Sequence, residues 1–151
     1  MIFSSPDPAS DPYFAVALLT LQRTSYALEA DLIDDDRIPP LQEDEVGLTA
    51  WRGHWVTAWE GVDLVGAIAW STGDDAVEIE KIMVSPSALR RGIASDLLGQ
   101  VLQHAGGREV AAATGRSNAP AVALYAKHGF HAVGDEQVPP GIWITRLRRV
   151  A

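Results

Sequence analysis

The chain has 151 residues, of which 47% are hydrophobic and 21% are charged, and it contains no cysteine. This composition is typical of one soluble globular domain, and it excludes a disordered or fibrous chain, disulfides, thiolate metal sites and cysteine nucleophiles. The longest apolar run, residues 14–19, is far shorter than the ~20 residues that span a bilayer. The first residues lack the basic and apolar regions of a signal peptide. We therefore expect a single domain over residues 1–151, located in the cytoplasm and without a membrane partner.

The net charge of −8 is concentrated in one segment of the chain. Eight of the 20 acidic residues fall between Glu29 and Glu45, where Arg37 is the only basic residue. Nucleic acid is excluded as a partner, because its binding depends on cationic side chains placed against the phosphates. The segment is either a solvated helix end and loop or an acidic surface that attracts a cationic small molecule or a basic peptide.

The first half of the chain predicts helices followed by an antiparallel meander. Asp11-Pro12 is typical of a helix start, and apolar residues at helical spacing predict a helix over residues 12–33. A shorter helix is expected over residues 41–50, after Pro39-Pro40. Strands are predicted at residues 54–59, 64–71 and 77–84, and the turns between them are too short for a crossover.

The second half predicts two helices between three further strands. Apolar periodicity indicates a helix from Leu89 to the glycine pair at residues 106–107, and another helix at residues 121–128. Strands are expected at residues 109–113, 130–134 and 142–150. This order predicts an α+β fold, in which a mixed, mostly antiparallel sheet carries a layer of helices on each face.

Residues 89–94 have the composition of an anion-binding helix start. Gly92 and Ala94 allow close approach of the backbone, and a helix start supplies unpaired N–H groups and a positive dipole end. Arg90 and Arg91 add positive charge that suits a pyrophosphate. The dinucleotide-binding pattern Gly-x-Gly-x-x-Gly and the nucleoside-triphosphate pattern Gly-Lys-Ser/Thr are both absent.

A second segment, residues 118–130, carries Asn118, Tyr125 and Gly129-Phe130. Together with this segment, the helix start resembles the GNAT superfamily of acyl-CoA-dependent N-acyltransferases. That family combines Val-x-Pro and Arg/Gln-x-x-Gly-x-Gly/Ala with a later Asn, a Tyr seven residues on, and Gly-Phe. The matching residues here are Val84-Ser85-Pro86, Arg91-Gly92-Ile93-Ala94, Asn118, Leu124-Tyr125 and Gly129-Phe130. Leu89 occupies the family's Arg/Gln position, so the polar side-chain contact expected from that position is missing. Arg90 or Arg91 could supply that contact instead. The resemblance runs from about residue 64 to the end of the chain.

The resemblance implies a site for acetyl-CoA beside a strand that splays from its neighbour. The pantetheine arm would pair with the backbone of residues 82–84, the pyrophosphate would lie on the helix start, and Asn118 would face the arm. The Val84 amide would bind the oxyanion, and Tyr125 would be the acid that protonates the departing thiolate. The implied cofactor-binding residues are Ile82, Met83, Val84, Arg90, Arg91, Gly92, Ile93, Ala94, Ser95, Asn118 and Tyr125.

The base that removes the proton of the amine is left open by the sequence. Glu78 matches a position where some family members carry a catalytic glutamate, and Glu80 follows two residues later, on the same face of the predicted strand. Alternatively, both are solvated and water serves as the base. Tyr26 lies on the first helix, which in this family leans over the acceptor, so it is either a substrate contact or a packing residue.

These features predict an N-acetyltransferase that moves the acetyl group of acetyl-CoA to a primary amine by direct attack in a ternary complex. The alternatives are an acyltransferase that uses another acyl-CoA or an oxygen acceptor, and a non-catalytic module that senses acyl-CoA. The acidic segment favours a cationic acceptor. The four histidines lack metal-ligand spacing, so no metal is expected. The acceptor is otherwise unspecified, and a homodimer is left open.

Overall fold

The computed structural model describes residues 1–150, which form a seven-stranded mixed sheet with helices on both faces. The strands are β1 (Ile2–Ser4), β2 (His54–Glu60), β3 (Asp63–Thr72), β4 (Ala76–Val84), β5 (Glu109–Gly115), β6 (His131–Val138) and β7 (Ile142–Arg149). The helices are α1 (Pro12–Ile33), α2 (Pro39–Gln42), α3 (Glu45–Ala50), α4 (Ile93–Ala105) and α5 (Ala119–Lys127), with a 3-10 turn at Pro86–Ala88. The strand order is β1-β2-β3-β4-β5-β7-β6. The predicted fold class is confirmed.

Helix α1 begins and ends where the sequence predicts. The Asp11 carboxylate caps it by accepting a hydrogen bond from the Phe14 N–H at 3.1 Å. The helix predicted over residues 41–50 is instead two short helices, because Glu43 has an extended backbone (φ −70°, ψ 137°). That conformation lets the Glu43 carboxylate pair with Lys81 of β4, a tertiary contact that periodicity does not report.

The structure differs from the sequence prediction at further points. Helix α4 begins at Ile93 rather than at residue 89, because Arg90 and Gly92 have left-handed φ angles of 63° and 77°. Strand β6 extends to Val138, and its length is set by its pairing with β7, since nearly all its side chains are exposed and show no alternation. Strand β1 has only three residues, too few for a periodic pattern.

The connection from β4 through α4 to β5 gives the sheet its only parallel pair among the described residues. Strands β2, β3 and β4 form the predicted antiparallel meander. In contrast, β4 pairs with β5 over only three positions, which end at Glu78 and Ala111. Beyond these residues the two strands part, although β5 remains paired with β7 as far as Gly115.

A bulge in β4 assigns its side chains to two different cores. Ile79 pairs with Trp70 and Lys81 pairs with Ala69, so Glu80 is the extra residue. Ile79, before the bulge, and Val84, after it, both pack toward α4 and α5. Met83, also after the bulge, packs toward α1 on the other face of the sheet. The strand therefore contributes to both faces of the sheet within nine residues.

A buried polar cluster fixes α1 and α2 to β4. Gln22, which is fully buried, donates to the Pro40 carbonyl at 3.0 Å and to Glu43 at 2.9 Å, and it accepts from the Lys81 ammonium at 3.0 Å. Because every member is paired, the cluster avoids the cost of an unsatisfied buried group. No helix in the described part of the chain is long and apolar enough to cross a membrane.

Gly66 of β3 lets α4 lie close to the sheet, and this contact gives a stability prediction. A Cβ atom at Gly66 would lie 2.7 Å from Ile93 Cγ2, which is attached directly to a β-branched Cβ and has little freedom to move. We expect Gly66→Ala to lower the free energy of unfolding by about 1–3 kcal/mol through overpacking. The measurement is urea unfolding followed by circular dichroism.

Gly99, inside α4, is the matched control for this substitution. A Cβ atom there meets nothing within 4 Å, so Gly99→Ala should stabilise the helix by up to about 1 kcal/mol. A Gly66→Ala variant as stable as the parent would contradict the close contact between α4 and β3.

Candidate functional site

Two cavities meet in the gap where β4 parts from β5. The first, of about 470 Å³, lies between the end of β4, the start of α4 and α5. The second, of about 190 Å³, extends toward α2 and β7. Five residues line both cavities, so the cavities adjoin: Tyr26, Glu29, Ile82, Asn118 and Ala121.

The first cavity collects most of the residues that the sequence predicts to bind the cofactor. Nine of them line it: Ile82, Met83, Val84, Arg90, Gly92, Ile93, Ala94, Ser95 and Asn118. Lys127 of α5 lines the same cavity and adds a second positive charge to that of Arg90. Leu89, at the position where the resemblance expects a polar side chain, contributes an apolar surface instead.

The start of α4, residues 90–95, has the backbone geometry of an anion-binding helix start and is called the anion cradle below. The left-handed backbone at Arg90 and Gly92 turns the chain into the helix, and the first intrahelical bond runs from the Asp96 N–H to the Gly92 carbonyl at 2.9 Å. The N–H groups of residues 93–95 therefore have no partner inside the helix. Unpaired N–H groups at the positive end of a helix dipole suit a phosphate group.

Arg91 lies outside the first cavity and is held by an acidic residue of the meander. Its guanidinium binds both carboxylate oxygens of Glu60, with a distance of 2.7 Å between Nη1 and Oε1. Hydrogen bonding to Arg91 lowers the pKa of Glu60, and the same bond raises the pKa of Arg91. Of the two predicted arginines, the structure thus brings Arg90 to the cavity and pairs Arg91 elsewhere.

Ser95 is tied to the end of α5. Its hydroxyl lies 2.6 Å from His128 Nε2, and burial, followed by the charges of Lys127 and Arg149, lowers the pKa of His128. A neutral His128 ring can accept the Ser95 hydroxyl proton in this hydrogen bond. The contact fixes the cradle against α5, on the same side of the gap as Tyr125.

Asn118 has a structural role at the junction of the two cavities. Its Oδ1 accepts from the Ala121 N–H at 3.3 Å and caps α5, while its Nδ2 donates to Glu29 Oε1 at 3.1 Å. Asn118 is only 9% exposed, and it lines both cavities. The side chain that the sequence expects to face the cofactor arm thus also joins α5 to α1.

Tyr125 is buried on α5 and lines the second cavity. Its ring packs against Phe130 with centroids 5.1 Å apart, and the side chain is 2% exposed. Burial raises the pKa of Tyr125 well above its ordinary value, and the negative charge of Glu29 raises it further. Burial and the charge of Glu29 likewise raise the pKa of Tyr26. Both hydroxyl groups are therefore protonated donors throughout the physiological pH range.

The two glutamates of β4 differ in position. Glu80, the bulge residue, lines the second cavity, and its carboxylate accepts from the Ser71 hydroxyl at 3.3 Å. Glu78 lies at the last β4–β5 pair and lines neither of the two cavities. Both side chains are exposed to solvent. The bulge also breaks the two-residue alternation from which a shared face was predicted.

Glu29 is the junction residue that sequence reasoning did not single out, because its charge was counted with the acidic segment. Half of the acidic residues of that segment lie apart: Asp31 and residues 34–36 line a separate surface depression, where Arg37 binds Asp35. Spacing offers the missed signal, since Tyr26 and Glu29 are three residues apart and share one face of α1. Within residues 1–150, no three acidic or histidine side chains cluster as metal ligands.

The fold of this chain is similar to that of solved acetyltransferases. The structure resembles the PaiA N-acetyltransferase of Thermoplasma acidophilum in complex with coenzyme A, with a TM-score of 0.75, 15% identity and full coverage of both chains. It also resembles the ribosomal-protein-S18-alanine N-acetyltransferase of Escherichia coli, with a TM-score of 0.74, 14% identity and coverage of 98% and 93% of the two chains. At these identities the likeness establishes the fold.

A curated relative and a family model extend the comparison to sequence. The UPF0157 protein YqkA of Bacillus subtilis (strain 168) is 28% identical over 129 residues, or 85% of this chain. The chain spans only 38% of the length of that relative. The model of the acetyltransferase (GNAT) family matches residues 17–130, which include the cradle and Tyr125. Because this match covers most of the chain, the protein belongs to the acetyltransferase (GNAT) family of coenzyme A-binding acyltransferases.

Proposed function

We propose that residues 1–151 act as one catalytic domain that transfers an acetyl group from acetyl-CoA to a primary amine. The observation that carries this proposal is the meeting of two cavities at the β4–β5 gap, with the anion cradle in the first and Tyr125 in the second. Two substrates can approach from the two cavities and react where these join. Since the chain has no cysteine, an acyl-cysteine intermediate is excluded. Direct attack of the amine on the thioester in a ternary complex is therefore favoured.

The first cavity suits the cofactor in both charge and hydrogen bonding. The unpaired N–H groups of residues 93–95, with Arg90 and Lys127, offer positive charge for the pyrophosphate. One edge of residues 82–84 is paired with β3, while the edge toward β5 carries no strand. That open edge can pair with the amides of the pantetheine arm, as an added strand would.

The reaction needs a proton acceptor, an oxyanion donor and a donor to the leaving sulfur. An alkylamine has a pKa of about 10.4 and arrives mainly as an ammonium ion. We assign the oxyanion to the Val84 N–H, at the end of the open edge, and the sulfur to the Tyr125 hydroxyl. The raised pKa of Tyr125 favours a hydrogen bond to the sulfur over early proton transfer. The proton moves from Tyr125 to the sulfur once the thiolate forms, because burial in the gap also disfavours the negative charge of the thiolate.

Three alternatives use the same cavities: a longer acyl-CoA, an oxygen acceptor, and a module that binds acyl-CoA without turnover. The net negative charge of residues 29–45 favours a cationic amine over an alcohol, through long-range attraction. A buried tyrosine hydroxyl at the gap favours turnover, since binding alone does not need a donor at the sulfur. The direct experiment is thiol release from acetyl-CoA across a panel of amines and alcohols. Because the protein has no thiol, every thiol detected is product.

Gly92 provides a test of the cofactor site. Acetyl-CoA at 100 times its Kd should stabilise the parent by about 2.7 kcal/mol, which is measured as a rise in Tm. Gly92→Glu should abolish this rise, since it places a negative charge against the pyrophosphate. Gly92→Ala is the control, because both variants force a side chain into φ 77°, at about 1–2 kcal/mol, but only the glutamate adds charge. An unchanged rise in a folded Gly92→Glu variant would place the phosphates elsewhere.

Tyr125→Phe tests the donor to the sulfur. The substitution keeps the ring that packs on Phe130 and removes only the hydroxyl. Removal of a general acid typically costs 10²- to 10⁴-fold in rate, so we expect kcat to fall at least about tenfold with little change in acetyl-CoA affinity. Tyr13→Phe, which removes an exposed hydroxyl, is the matched control. Parent-like kcat in Tyr125→Phe would remove Tyr125 from the mechanism.

A further inference from the structure

Glu29 brings a carboxylate from α1 into the gap between β4 and β5. It lines both cavities, so it lies where the cofactor side and the acceptor side of the site meet. Glu78 lines neither cavity, and Glu80 lines only the second and is exposed. Of the three glutamates, Glu29 is the one at the junction.

Three donors hold the Glu29 carboxylate in place. Oε1 accepts from the Thr114 hydroxyl at 3.1 Å, from the Gly115 N–H at 3.3 Å and from Asn118 Nδ2 at 3.1 Å. All three donors belong to the end of β5 and the start of α5. Within residues 1–150, none of the hydrogen bonds found for this carboxylate uses Oε2. The group is thus oriented through one oxygen, which leaves the other to meet a ligand.

The charges around Glu29 leave it as the main anion at the junction. The other titratable groups that line the two cavities are Tyr26 on α1, Glu80 and Lys81 on β4, Arg90, and Tyr125 and Lys127 on α5. Lys81 is neutralised by Glu43, and the two tyrosines are protonated and neutral. A cationic group that enters from the second cavity therefore meets the negative charge of Glu29 as it reaches Tyr125.

We propose that Glu29 is the catalytic residue that binds the ammonium group of the acceptor and takes its proton. The acceptor is then an amine that enters the site as a cation. This inference rests on the proposed function, and it assigns to α1 the role that the sequence offered to the two glutamates of β4.

The step balances in atoms and charge. The Glu29 carboxylate takes one N–H proton, and the nitrogen lone pair then forms the N–C bond to the thioester carbonyl. Collapse of the tetrahedral adduct breaks the C–S bond, and the sulfur leaves with the electron pair. The sulfur takes a proton from Tyr125, which regains one from the acylated nitrogen through water. Glu29 releases its proton to solvent, so the products are amide, thiol and one proton.

The test compares Glu29→Gln with the parent across pH, using an alkylamine acceptor and acetyl-CoA. The glutamine oxygen can accept the same three hydrogen bonds, so the fold and the rise in Tm with acetyl-CoA should persist. At pH 7 we expect kcat/KM to fall by about 10²-fold or more. The parent should keep a nearly flat kcat/KM between about pH 7 and 9, whereas the variant should gain about tenfold per pH unit, because it uses only neutral amine.

Three matched measurements separate this role from a structural one. Thr114→Val removes one donor to Glu29 but keeps the charge, so it should lower Tm and retain the flat pH profile. Glu136→Gln, on the exposed strand β6 and outside both cavities, should behave like the parent. An aromatic amine that is neutral at pH 7 needs no base, so Glu29→Gln should acetylate it with a much smaller loss.

The outcomes distinguish this inference from the proposed function. If none of the acceptors tested makes the parent release thiol, the proposed function fails, and the role of Glu29 fails with it. If the parent is active and Glu29→Gln matches its rate and pH profile, only the role of Glu29 is overturned. A parent kcat/KM that rises tenfold per pH unit would also overturn it, whether or not the variant folds, because the parent would then use neutral amine.

Discussion

The separation of β4 from β5 is the constraint on which the rest of the structure depends. A parallel pair that continued past Glu78 and Ala111 would close the sheet, and the two cavities would not exist. Because pairing stops there, the last residues of β4 keep one open backbone edge beside the cradle of α4. The bulge at Glu80 lies just beyond the last pair, where a bulge bends a strand and increases its twist.

Helix α1 holds the two parted strands at a fixed distance. Gln22 and Glu29 are seven residues apart, about two helical turns, and so lie on one face of α1. Gln22 binds Lys81 of β4, whereas Glu29 binds Thr114 and the start of α5. The helix thus spans the gap through one polar side chain on each side. These contacts stabilise the position of α1 across the gap.

The elements were predictable from the sequence where the pattern was local. Helix α1, the meander and the α4–β5–α5 order follow from capping residues, periodicity and turn residues. The predictions failed where a tertiary contact overrides local preference: at Glu43, whose pairing with Lys81 divides the second predicted helix, and along β6, whose extent depends on β7.

What the sequence by itself determined is the family, the cradle at the start of α4 and the tyrosine of α5, because each is encoded by residues close together in the chain. Only the tertiary structure decided which charged groups reach the gap. Arg91 binds Glu60, 31 residues earlier, and so lies outside the gap. Glu29 binds Asn118, 89 residues later, and so lies within it. Long-range pairs of this kind leave no periodic trace in a single sequence. Their energy depends on burial and distance, which exist only after the strands and helices have packed.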